Sequence, residues 1–507
     1  MSGNFFEELE SAFAAAADRE CLRVPGRVSW SYGDLLHTTG LMAGVLADYG
    51  VGAGDRVLAQ VDKSPEALAL YLATLRAGGI YVPLNTAYTG AEVDHFVNDA
   101  EPLLFVARPG TEHQERLVKR VVGGRSMRVL TLGADGGGTL TDNMRGGKPL
   151  ALAVSRKAGE TAALAYTSGT TGRAKGAMLT HANIASNAHA LRTCWGWRPD
   201  DVLLHALPIF HIHGLFIALH CALLGGTPVI FLPRFEVGAV LSRIPEATVM
   251  MGVPTFYTRL LNRPELNAEH CAGMRLFISG SAPLTERTFR IWEERTGHRI
   301  LERYGMSEAI IIASNPLEGP RLEGTVGFPL PGVKVRVADA VGREVPRGNI
   351  GTIEVRGGNV FKGYWRMPEK TAEEFRPDGY FVTGDLGTMD HEGRLAVVGR
   401  NKDLIISGGY NVYPKEVERA IDEFDEVVES AVIGVPHPDF GEGVVAVVVP
   451  TERPVEADWL RRALEQRLAR FKQPKRVVNV GELPRNAMGK VQKNRLREDY
   501  AGLFADG

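Results

Sequence analysis

Tyr166 to Gly176 reads YTSGTTGRAKG, a short run rich in groups that hold anions. Thr167, Ser168, Thr170 and Thr171 supply hydroxyl donors, Gly169, Gly172 and Gly176 free the backbone N–H groups to turn toward a ligand, and Lys175 adds charge. These are the needs of a polyphosphate. The order excludes a Walker loop, because Lys175 is followed by Gly176 where that motif requires Ser or Thr. A bland Ser/Gly linker is the alternative, and the strand-like AALAY just before the motif argues against it. Read alone, the motif indicates nucleotide phosphates and leaves the reaction open.

Such a loop needs a scaffold. Apolar, β-branched runs such as RVLAQV, TVMMGV and LFISG alternate with helical stretches such as SPEALALYLATLRAGG. This predicts α/β architecture with doubly wound sheets and ligands at the carboxyl ends of strands. From about residue 325 to 399 short Gly-punctuated strands predict a β-rich subdomain of the large domain, residues 1–399. Residues 400–507 read as a small α+β domain that includes a basic helix, DWLRRALEQRLARFK. The 507 residues carry 58 Lys+Arg against 60 Asp+Glu, so neither nucleic acid nor a membrane surface is an expected partner. The 58 glycines exceed the roughly 7% of average usage, which suggests loops that grip a ligand. Four widely spaced cysteines and an acidic start (Glu7, Glu8, Glu10) lead us to expect free thiols, no secretory leader and a cytoplasmic protein. Gly214–Pro233 is uncharged, but His220 and Gly225-Gly226 divide it into a buried helix, a turn and a strand rather than a membrane span.

The loop resembles that of the adenylate-forming superfamily, which includes acyl-CoA synthetases, luciferase and the adenylation domains of peptide synthetases. Six more of that family's signatures follow in its order: LPIFHIHG (207–214), SGSAP (279–283), ERYGMSE (302–308), TGDLG (383–387), GRNKDLIISGGYNVYPKEVE (399–418) and PRNAMGKVQK (484–493). The resemblance implies that an acid is joined to a thiol through an acyl-adenylate, with ATP and coenzyme A as co-substrates, Mg²⁺ as cofactor and a small domain that rotates between the half-reactions. It implies Glu308 and Thr167 as magnesium ligands, Asp385 on the ribose with Arg400 as its partner, and Ser279, Gly280, Ser281, Ala282, Pro283, Glu302, Arg303, Tyr304, Gly305, Met306 and Ser307 around the nucleotide. It makes Lys490 the adenylating cation and a target for a lysine acetyltransferase and deacetylase, and it puts the hinge at Lys402. Ser407, Gly408 and Gly409 fall at the thiol tunnel, with His211 between that tunnel and the acyl pocket.

The identity of the acid rests on Arg303. A buried arginine is costly unless it meets an anion, which is either a protein acid or the second carboxylate of a short diacid. ERYGM, VPTFYTRL and PRNAMGKVQKN resemble the malonyl-CoA synthetase branch, which implies malonate, or methylmalonate, with Arg259 as a second carboxylate contact and Ser279 as a donor. Ile212 and the Ile310–Ile312 run depart from that branch and predict a bulkier apolar wall, with Ile311 in the pocket. Another short, aryl or fatty acid, or a carrier-protein thiol as acceptor, is the alternative. A non-catalytic nucleotide sensor is disfavoured by the joint presence of Lys490, Glu308 and Asp385.

Overall fold

Ser64 caps the helix Pro65–Arg76 by accepting the Ala67 N–H at 3.1 Å, Pro65 occupies the first turn, and Gly78 at φ +76° turns the chain away at the far end. Every residue of this helix is buried, as suits a helix apolar around its whole circumference. It packs on the helix Tyr32–Asp48 and the strand Ile80–Pro83, and Tyr71 reaches across to His220 at 3.0 Å. It thereby joins two sheets into one core. The computed structural model describes residues 3–117, 120–167, 174–486 and 489–504.

The first sheet has six strands in the order Lys175–Thr180, Thr161–Thr167, Ile80–Pro83, Arg56–Gln60, Leu104–Ala107 and Arg128–Thr131. Only the first two pair antiparallel. They flank the polyphosphate motif, whose Ser168, Gly169, Thr170, Thr171 and Gly172 lie outside the described residues. The second sheet has nine strands, with a parallel centre that includes Leu203–His205, Val249–Gly252, Leu276–Ser279 and Leu301–Met306. Their carboxyl ends lead into the LPIFHIHG, VPTFYTRL, SGSAP and ERYGMSE motifs. Such sheets bind ligands at those ends.

An antiparallel sheet of Val333–Ala338, Gly351–Gly357, Phe381–Met389 and Leu395–Arg400 forms the β-rich part. Arg400 still pairs with Asp385 in it, so this sheet runs one residue past the expected cut at 399. The last sheet has five strands, with Val427–His437 and Gly441–Pro450 central to its core and the helices Pro414–Asp422 and Ala457–Leu464 packed on it. The expected long basic helix is shorter. It ends at Leu464, and the Leu468 carbonyl is taken by the Gln473 side chain instead of a further helical turn. Gly214–Pro233 forms a π-helix His213–Leu219, a short helix His220–Gly225 and the strand Val229–Phe231. No described helix is long and apolar enough to cross a membrane.

Candidate active site

Asp385 anchors one corner. It sits opposite Arg400 in neighbouring strands, and their side chains pair at 3.1 Å. The Tyr304 hydroxyl donates to its other oxygen at 2.6 Å. Thr383, which the motif reading passed over, fixes the backbone by accepting the Asp385 N–H at 3.1 Å and donating to Ile353 O at 2.7 Å. Each carboxylate oxygen keeps a lone pair for a hydroxyl donor.

Glu308 lies in the tight connection between Leu301–Met306 and Ile310–Ser314. That connection is so close that a Cβ at Gly305 would sit 1.9 Å from Ile310 O, and Ile310 itself adopts φ +51°. A β-branched residue in that conformation is strained, and such strain clusters at functional sites. The Glu308 carboxylate is 6% exposed and accepts the Tyr364 hydroxyl at 3.0 Å, and burial raises its titration above the ordinary value. No described cation pairs with it directly; Lys175 lies 4.5 Å from the Tyr364 ring centre and 4.0 Å from Glu374. The Thr167 hydroxyl is half-buried and 3.5 Å from Lys175 O. No described group of three His, Cys, Asp or Glu side chains could cage a metal, so a cation here would draw further ligands from substrate phosphates, as magnesium commonly does.

The third corner is basic and dry. Arg303 is 4% exposed, its guanidinium lies flat against Gly280, and its Nε and Nη2 have no hydrogen-bond partner. Burial lowers its titration from the ordinary arginine range to about 9, still charged at neutral pH. Ser279 Oγ and His213 Nε2 are likewise buried and unpartnered, while His213 Nδ1 meets Ser281 Oγ at 3.1 Å. Ser281 is held at φ +71°. His211 Nδ1 accepts the His213 N–H at 3.1 Å, and burial, then the charges of Arg303 and Lys490, lower its titration to about 4. The ring is therefore neutral and carries its proton on Nε2. Buried polar atoms are almost always satisfied, so several orphans together mark a missing polar ligand.

Lys490 reaches this corner from the small domain. A Cβ at Gly489 would lie 3.0 Å from Thr255 Oγ1, and Lys490 N–H donates to Asn486 Oδ1 at 3.0 Å. Burial and then Arg400 lower Lys490 to about 8.

Other expectations need correction. Arg259 stands exposed on the helix Pro254–Leu261, which turns Tyr257 inward instead. Tyr257 is the residue of this helix that neighbours Arg303. Ile311 and Ile312 are both fully buried, but adjacent strand residues face opposite sides, so the isoleucine run is not one wall. Ile212 is buried beside His211. Glu302 braces backbone, its carboxylate 3.4 Å from Leu284 N and its carbonyl taken by Asn315, and burial pushes its titration to about 7. Ala282, Met306 and Ser307 are half-buried and Pro283 is exposed. Lys402 is exposed on the short turn Asn401–Asp403, and Gly408 and Gly409 are exposed at φ +59° and +82°, the two left-handed residues of a tight hairpin between Ser407 and Tyr410. The structure thus docks Lys490 and leaves this turn outside. His213, Thr383 and Tyr364 escaped the sequence reading; only the alternation in His211-Ile212-His213 hinted at the first.

Residues 9–365 match the family described as AMP-binding enzyme, and residues 416–490 match the AMP-binding enzyme C-terminal domain. The malonate–CoA ligase of Arabidopsis thaliana is 34% identical, the alignment covering 98% of this chain and 89% of that one. A feruloyl-CoA synthase of Amycolatopsis is 36% identical over 94% of this chain and 95% of its own. ATP-bound MatB from Rhodopseudomonas palustris is 52% identical, with a TM-score of 0.95 over 99% of this chain and 100% of that one. The apo form of that protein superposes at 0.85, so the arrangement seen here is nearer the ATP-bound one. With a strand-flanked phosphate motif, a Tyr304–Asp385–Arg400 corner and a lysine delivered by a separate small domain, the chain belongs to the AMP-binding enzyme family.

Proposed function

We propose that this protein ligates malonate to coenzyme A in two steps, with malonyl-adenylate between them. The observation that carries the choice of acid is Arg303, a buried, charged guanidinium that forms no ion pair among the described residues and whose Nε and Nη2 lack a hydrogen-bond partner, with unpartnered Ser279 and His213 nearby. One carboxylate of malonate would satisfy these groups, leaving the other to react. In the first step a carboxylate oxygen attacks the α-phosphorus and pyrophosphate departs; in the second the CoA sulfur attacks the acyl carbon and AMP departs.

The chain's contribution is positioning and charge. Asp385 receives ribose hydroxyls while Arg400 and Tyr304 hold it in place. Lys490, docked as it is here, faces the charge that develops between carboxylate and α-phosphate. His211, neutral and donating from Nε2, lines the path from acyl group to thiol. Glu308 and the Thr167 hydroxyl would hold magnesium, which when bound supplies neutralisation of phosphate charge; a buried carboxylate with no paired base suits a hard cation. Between steps, rotation about Lys402 would withdraw Lys490 and bring in Ser407–Gly409. We place the domain division at Asn401–Asp403. Acetylation of Lys490 would abolish the first step, and since the residue is docked against the large domain, an acetyltransferase would reach it only after rotation. Four free cysteines suit a reducing, cytosolic setting.

The test is turnover with ATP, CoA and a panel of malonate, methylmalonate, acetate, succinate and ferulate. Malonate is expected to exceed acetate in kcat/KM by about 10⁴-fold, the discrimination available to a site with buried polar groups left unpaired by the wrong substrate. Arg303→Leu is expected to erase that preference without lowering the melting temperature, because it removes an uncompensated buried charge. Preference for ferulate, or for acetate over malonate, would overturn the reading.

A further inference from the structure

Lys63 stands at the carboxyl end of the first sheet, just after the strand Arg56–Gln60 and next to Ser64, the cap of the buried helix Pro65–Arg76. Its amine crosses to the second sheet. Lys63 Nζ lies 2.6 Å from His205 Nδ1, donates to His205 O at 2.9 Å and sits 4.4 Å over the ring of Phe231, on which the imidazole is stacked. Among the described residues no acid forms an ion pair with it, and burial alone holds its titration well below the ordinary lysine value. A lysine placed there without an acid owes its position to the ring it meets.

His205, which is buried, passes the contact on. Its Nε2 is 3.0 Å from Gly214 O, an atom that only accepts, so the ring carries its proton on Nε2 and Nδ1 receives a Lys63 hydrogen. Gly214 is the second residue of the π-helix His213–Leu219, and a Cβ on it would meet Pro208 O at 2.1 Å, so the chain from Pro208 to Gly214 is folded tightly on itself. That turn carries His211 and His213, and His205 is near enough for its charge to act on His213. Tyr71, from the helix that follows Lys63, holds the region just beyond the π-helix through His220. The near end hangs on the His205 tautomer.

We infer that Lys63 is a positioning residue for the choice of acid: by donating to His205 Nδ1 it keeps the Nε2 proton on Gly214 O, and so holds His213 where the second carboxylate of the substrate is met. The inference rests on the malonate reading above and adds what orients that corner. Without the amine, His205 Nδ1 loses its donor, the proton is free to move to it, and two acceptors then face each other at Gly214 O.

The experiment is a double-mutant cycle of Lys63→Met, which keeps length and loses the donor, and His205→Gln, whose amide donates to Gly214 O without help from Lys63. KM and kcat are measured for malonate, acetate and ATP, with melting temperatures as the check on folding. Lys63→Met should raise KM for malonate about tenfold, the loss expected of one buried hydrogen bond, and leave KM for ATP and kcat/KM for acetate within about twofold. In the His205→Gln background the same change should cost less than about twofold. Equal losses for ATP and malonate, or the same tenfold loss in the glutamine background, would overturn the inference while a wild type that prefers malonate leaves the malonate reading intact. If Lys63→Met does not fold, Lys63→Gln, which keeps a donor, must retain the malonate preference, and its loss would overturn the inference equally. If the wild type shows no preference for malonate, that reading falls, and the cycle is read on KM for whichever acid is turned over, where Lys63→Met must still raise KM for the acid and spare ATP.

Discussion

Burial that lowers Lys490 to about 8 brings the charge needed for adenylation within reach of ordinary pH changes. The protonated ammonium is the active form, so it is complete below that value and lost above it. In kcat/KM for ATP, which reports the free enzyme, adenylation should fall about tenfold per pH unit on the alkaline side of about 8. Lys490→Ala should nearly abolish pyrophosphate release with malonate yet spare thioester formation from supplied malonyl-adenylate. A flat profile up to about pH 10, or equal loss in both half-reactions, would remove Lys490 from the role. Residues whose type the chemistry dictates were the legible ones. An acid for a cation, an acid for two hydroxyls and a lysine in a Gly-flanked turn announce themselves, and the structure buries Glu308 and brings Asp385, Tyr304 and Arg400 together. VPTFYTRL does not by itself reveal which side of its helix faces inward; packing buries Tyr257 and Leu260 and leaves Arg259 exposed. His213 was hidden because the π-helix that begins there, and so the direction of its ring, has no local signature.

The connection between Leu301–Met306 and Ile310–Ser314 is the element on which the cation corner depends, and glycine is what lets it close. At Gly305 the obstacle to a Cβ is backbone, Ile310 O at 1.9 Å, rather than a side chain that could swing away. Gly305→Ala must therefore push the two strands apart and carry Glu308 out of reach of Tyr364. Overpacking of this kind costs about 1–3 kcal/mol. We expect a folded protein with a lowered melting temperature and a raised magnesium requirement for pyrophosphate release. An unchanged magnesium titration would show that the connection does not position Glu308. Elements of this sort were only half legible. The βα alternation was read from the apolar runs, whereas the six-strand and nine-strand orders and caps such as Ser64-Pro65 came only with the structure. The isoleucine run read as one bulky wall, whereas the pleat sends Ile311 and Ile312 to opposite sides. The basic helix read as too long because arginines continue its pattern after Leu464 has ended it.

How the two domains sit together was not legible at all, since it depends on charges far apart in the chain. Helix Glu286–Thr296 of the large domain faces helix Pro414–Asp422 of the small one, and Glu286 pairs with Arg419 across the boundary. Beside them Arg287 donates to Phe424 O at 3.3 Å and lies 3.4 Å from the Asp425 carboxylate, and Lys415 is close enough for its charge to act on buried Glu302. These contacts are remote from the phosphate motif and accompany the docked position of Lys490, so in the proposed rotation they would weight the balance between the two arrangements without touching substrate. Exposed ion pairs contribute only about 0.2–1 kcal/mol, and Arg419 is half exposed, which bounds the expected effect. Arg419→Glu replaces attraction with repulsion and should slow malonyl-adenylate formation about fivefold while leaving thioester formation from supplied malonyl-adenylate unchanged or faster. Glu286→Arg in the same chain restores an opposite pair and should recover the first half-reaction. If the single variant slowed both half-reactions alike, or the reversed pair failed to restore the first, these charges would be mere surface decoration, and the docked arrangement would have to be held by the packing of Gly489 on Thr255 and by ATP itself.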